Sequence, residues 1–115
     1  MGQPIVQQVD LRTVKVSWEG LVQKKECVDQ YLVKYWPKSY PQEYHMTDLI
    51  DKQIYIAAII VTPKVNYVFQ VIAREDKGGI LGIDYSKSNG TEFKTTAKNS
   101  NGIYDLDMLG IFDLN

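Results

Sequence analysis

One histidine, His45, and one cysteine, Cys27, are the chain's whole supply of those two residue types. A nucleophile and base pair would need Cys27 and His45 to meet across a loop. A closed zinc site built from Cys and His needs four ligands, more than one chain can supply here. Both residues therefore read as surface positions, a solvated histidine and a loop cysteine. Asp48, Asp51, Asp76, Asp84, Asp105, Asp107 and Asp113 lack the spacing of a calcium loop and read as solvating charges. Gly78-Gly79 and Gly82 have neither the strand-loop-helix setting nor the lysine of a phosphate cradle, and read as turn glycines. No set of competent side chains converges, so no catalytic, metal or cofactor site is expected and the chain reads as non-enzymatic.

One modification motif remains. Asn89-Gly90-Thr91 fits the acceptor pattern for N-glycosylation, where a loop is expected to meet a strand. It favours an extracellular glycoprotein.

Composition narrows the partners. Thirteen basic against fourteen acidic residues give a net charge of −1, which offers no electrostatic footprint for nucleic acid or an anionic membrane. The longest apolar run, Ile54 to Val61, has eight residues, far short of a membrane span. A lone cysteine cannot close an internal disulfide and leaves the redox compartment open. Met1-Gly2-Gln3-Pro4 lacks the basic region and apolar core of a signal peptide and reads like the start of an excised segment. The 115 residues suit one domain with a real core.

The elements that would position any site are strands. Tyr67, Phe69, Val71 and Ala73 fall on one face of an extended segment, and Val68, Gln70, Ile72 and Arg74 on the other. Upstream, Val61 and Pro63 form a connection in which Tyr67 can bury its ring and return its hydroxyl to nearby backbone. Val14, Val16 and Trp18 alternate with Thr13, Lys15 and Ser17 in a second strand. Tyr31, Val33 and Tyr35 mark a third, stopped by Pro37. Ile5 to Val9 gives a short first strand, Pro41 to Asp48 a short one after the third, Lys52 to Val61 another, and Thr91 to Thr96 the last. Gly20 to Gln30 and Glu75 to Asn89 are expected as long loops.

The core Trp18, the tyrosines at 31 and 35, the apolar-x-Pro-x-x-x-Tyr corner at Val61 to Tyr67 and the closing Thr-rich strand, in this order from Pro4 to Ala97, resemble the fibronectin type III domain. The corner's apolar position, usually leucine in that family, is Val61 here. The resemblance implies an all-β, seven-stranded antiparallel immunoglobulin-like sandwich over residues 4–97, followed by a linker and tail over 98–115. It also implies a protein-binding role of the kind found in receptors and cell adhesion. The integrin-binding Arg-Gly-Asp triplet that some members carry is absent from residues 75–89.

Function then falls to surfaces. Leu32, Lys34, Trp36, Val68, Gln70, Ile72 and Arg74 share the outward face of the third strand and the Tyr67 strand, mixing an aromatic anchor with a basic rim as protein interfaces do. Ile54, Ile56 and Ile60 make an outward apolar stripe that a tail, a neighbour or a second copy could cover. Beyond the last strand, Ile103 to Asn115 alternates acidic and large apolar residues, with Tyr104, Leu106, Met108, Leu109, Ile111 and Phe112 as candidate docking residues. Tyr104 to Gly110 is similar to the core of a herpesvirus transcriptional activation segment. The leading expectation is a protein-protein interaction module of a larger extracellular receptor, adhesion or secreted protein. Its rival is an intracellular scaffold or nuclear regulator domain whose tail docks on a partner.

Overall fold

The computed structural model describes residues 2–21, 28–77 and 80–96, without the side chains of 76, 77 and 80–86. Nine strand segments occur there: β1 Ile5–Asp10, β2 Thr13–Ser17, β3 Gln30–Pro37, β4 His45–Met46, β5 Ile50–Asp51, β6 Ile56–Ile60, β7 Tyr67–Lys77, β8 Ile80–Lys87 and β9 Thr91–Phe93. One sheet has the order β1-β2-β6, and the other contains β4-β3-β7-β8, with β5 also on β3 and β9 also on β7. All pairs are antiparallel. Because β4 and β5 follow one another along one edge of β3, and β8 and β9 along one edge of β7, the segments fill three strand positions in one sheet and four in the other.

The alternations dictate which side chains meet between the sheets. Val14, Val16 and Trp18 from the first sheet, and Tyr31, Val33, Phe69, Val71 and Ala73 from the second, are 0% or 1% exposed and form one core with Val28, Ile59, Val61 and Tyr67. The corner closes as the spacing requires. The Tyr67 hydroxyl accepts from the Thr62 N–H at 3.3 Å, Val61 is buried, and Lys64 completes the turn at a left-handed φ of 62° with its N–H on the Thr95 hydroxyl at 3.0 Å. Side chains also tie β1 and the residue before it to β9 and the residues after it. Gln8 exchanges two hydrogen bonds with the Thr96 backbone, at 2.7 and 2.9 Å, and the Thr91 hydroxyl donates to the Pro4 carbonyl at 2.6 Å.

One expectation is overturned. Glu75 to Asn89 is mostly strand rather than loop, since β7 runs on to Lys77 and β8 occupies Ile80–Lys87. Gly82 lies within β8 and is not a turn glycine. The reason is visible in the residues: two runs rich in strand formers are separated only by Gly78-Gly79, a two-residue hairpin signal. Those two glycines lie outside the described residues, as do Cys27 and most of the Gly20 to Gln30 loop. Among the described residues no helix is long and apolar enough to cross a membrane, and no cluster of three His, Cys, Asp or Glu could hold a metal.

Burial of a phenol has a consequence at high pH. The Tyr31 side chain is fully enclosed, stacked obliquely between Trp18 and Tyr55 at 5.6 and 5.8 Å. Burial first, and the neighbouring Tyr55 hydroxyl second, push its pKa from 10.0 to about 12. Burial also raises Tyr35, with Tyr67 adding to it. The folded chain thus holds the Tyr31 proton in a pH window where the unfolded chain has released it, so stability is intact below pH 10 and falls as pH rises from about 10 toward 12. Urea midpoints measured across that window should drop, and Tyr31→Phe should flatten the drop. An equally steep decline in Tyr31→Phe would remove Tyr31 as its cause.

Candidate protein-binding face

The β3–β7 register sets the candidate face directly: Gln30 opposes Arg74, Leu32 opposes Ile72, Lys34 opposes Gln70 and Trp36 opposes Val68. Directly opposed residues project on the same side of a sheet. All seven sequence candidates therefore share the outward face, and differ in what they present. Leu32 and Ile72 are only 5% and 4% exposed, so they form a floor that a partner cannot reach. Arg74 is half-buried at that end, and its carbonyl accepts from the Asp29 N–H at 2.9 Å. Gln70 donates its side-chain amide to the Ser88 carbonyl at 2.9 Å.

The accessible end is built around Lys34. Its Nζ lies 4.4 Å from the Tyr44 ring centre and 5.7 Å from that of Trp36. Lys34 also opposes Met46 on β4, which places Met46 on the same face. Tyr44 and Met46 are 49% and 54% exposed, and Trp36 and Val68 half-buried. The arrangement is a cation held between two aromatic faces, flanked by a flexible thioether and a valine. Such a surface offers apolar anchors and one positive charge, matching a partner with an apolar recess beside a carboxylate. Tyr44 and Met46 escaped sequence reasoning. Carrying the period-two alternation from His45 onto the short strand would have found both.

His45 falls on the opposite side of β4. It is exposed and stacks on Tyr35 at 5.3 Å and 28°. Asn89 is exposed in the break between β8 and β9, its N–H on the Gly2 carbonyl at 3.1 Å. The Val68 side chain is close here: a Cβ on Gly90 would lie 2.5 Å from Val68 Cγ1. Ile54, Ile56 and Ile60 are 47%, 46% and 70% exposed, as their outward positions require. The tail candidates Tyr104, Leu106, Met108, Leu109, Ile111 and Phe112 lie outside the described residues.

No protein-family model matches the chain, and no curated protein matches it. Solved structures do. A fibronectin type III domain of human contactin 1 superposes with a TM-score of 0.64 at 20% identity, over 84% of this chain and 77% of that one. The FN1–FN3 segment of chicken CNTN1 gives 0.64 at 19% identity, over 81% of this chain and 30% of that one. A structure described as a myokine gives 0.64 at 18%, over 80% and 90%. With the buried tryptophan, the hydrogen-bonded tyrosine corner and the three-plus-four strand arrangement, these superpositions show that the chain has the fibronectin type III fold.

Proposed function

We propose that residues 4–97 form a non-enzymatic protein-binding module of a larger extracellular receptor, adhesion or secreted protein. The module engages its partner through the Trp36, Lys34, Tyr44 and Met46 end of the outward β3–β4–β7 face. The observation that carries this reading is the Lys34 ammonium lying over two accessible aromatic rings. Trp and Tyr are the side chains that dominate binding energy at interfaces, and an isolated domain has no folding reason to cluster them with an exposed Met on one surface. The exposed acceptor asparagine, Asn89, supports the extracellular setting.

The test has two arms. Biotinylated chain, screened against a panel of cell-surface and secreted ectodomains, should retain a partner that a Trp36→Ala, Tyr44→Ala variant does not. The parent protein from its native cells should lose mass on glycosidase treatment, with the change mapping to Asn89. An unmodified Asn89, together with partners recovered only from cytosol or nucleus, would replace this reading with the intracellular one.

A further inference from the structure

The outward face of the β1–β2–β6 sheet is a groove with apolar ridges. Register places Ile5, Ser17 and Ile56 in one row, Gln7, Lys15 and Ala58 in the next, and Thr13 beside Ile60 in the last. Ile5 and Val9 on β1, each 61% exposed, form one ridge, and Ile56 and Ile60 on β6 the other. Between them runs a polar floor centred on Lys15, which no salt bridge from a described residue reaches. Among the described residues β6 pairs only with β2, so its other edge is free as well. A free, uncharged, isoleucine-rich edge is the kind of surface that folded proteins cover.

The chain itself carries a segment suited to that groove. Ile103 to Asn115 holds Leu106, Met108, Leu109, Ile111 and Phe112 with three aspartates and no lysine or arginine, so it brings apolar side chains for the ridges and carboxylates for Lys15. Its point of departure is fixed. Thr96 is held by Gln8 of β1 through both its N–H and its carbonyl, at the end of the sheet where Val9 and Ile60 lie. The next six residues, 97–102, reach at most about 20 Å when extended. The sheet is only about 10 Å wide from β1 to β6.

We infer that residues 103–115 dock on this groove of their own domain, entering beside Val9 and Ile60 and running toward Ile5 and Ile56, with Asp105 or Asp107 on Lys15. Hydrogen exchange on the intact chain tests it, with the synthetic peptide 103–115 as the undocked reference. Tail amides should exchange at least about tenfold more slowly in the chain than in the peptide. The protection should be the same at low and high protein concentration. It should disappear in Ile56→Thr, Ile60→Thr, whose exposed positions leave the core intact, and Leu106→Ser, Met108→Ser should in turn speed exchange at residues 56–60. Peptide-like rates in the intact chain would overturn the inference. Protection that grows with concentration would assign the tail to a second copy, and protection that survives the face substitutions would assign it elsewhere.

Discussion

Replacing Trp18 with alanine is expected to cost about 3–5 kcal/mol, the range for truncating a buried aromatic. The side chain is 1% exposed and belongs to the core directly after β2, its ring 5.6 Å from that of Tyr31. Backbone bonds hold it on both sides: its N–H donates to the Tyr55 carbonyl at 3.0 Å, and its carbonyl accepts from Leu21 at 3.0 Å. With the residue pinned there, its neighbours have little freedom to collapse into the vacated space, which keeps the cavity and its cost large. Domains of this size are stable by roughly 5–15 kcal/mol, so much of the margin would go. The urea midpoint should fall steeply with the slope unchanged, and a loss below about 1 kcal/mol would contradict the core placement. Trp18→Phe should lose less, under about 2 kcal/mol, because the indole N–H it removes has no acceptor among the described residues.

What could be read in the sequence follows from how local each signal is. The faces of β2, β3, β6 and β7 were legible because a buried strand face writes itself into every second residue. Val14, Val16, Ile59, Phe69 and Val71 all lie where that period puts them. The corner was legible because Val61, Pro63 and Tyr67 fall within one turn. The β7–β8 hairpin is hidden because three glycines among charged residues suggest a loop until the two flanking runs are weighed as strands. Burial on the outward face was illegible for a different reason. Leu32 and Ile72 alternate correctly with the core residues, and what encloses them depends on packing outside their own strands. Lys34 shows the same limit on the site. Its place over Tyr44 needs β4 folded against β3, a pairing that two residues, His45 and Met46, specify only weakly.

Trp36→Ala should separate binding from folding. Trp36 sits near the end of β3 on the outward side, opposite Val68, and the Lys34 ammonium over its ring lies closer to Tyr44 than to the indole. Losing a half-exposed cation–π contact costs roughly 0.5–1 kcal/mol, so the melting transition should move little. Binding should respond far more. A central aromatic anchor contributes about 2 kcal/mol or more to an interface, which raises Kd by roughly thirtyfold. Tyr44→Ala should act alike, and the double variant should lose less than the two single losses together, because both rings orient the same ammonium. Calorimetric titration of the captured partner with the three variants measures this directly. An unchanged Kd in Trp36→Ala would move the binding site off this face, and a collapsed melting transition would make Trp36 part of the fold instead.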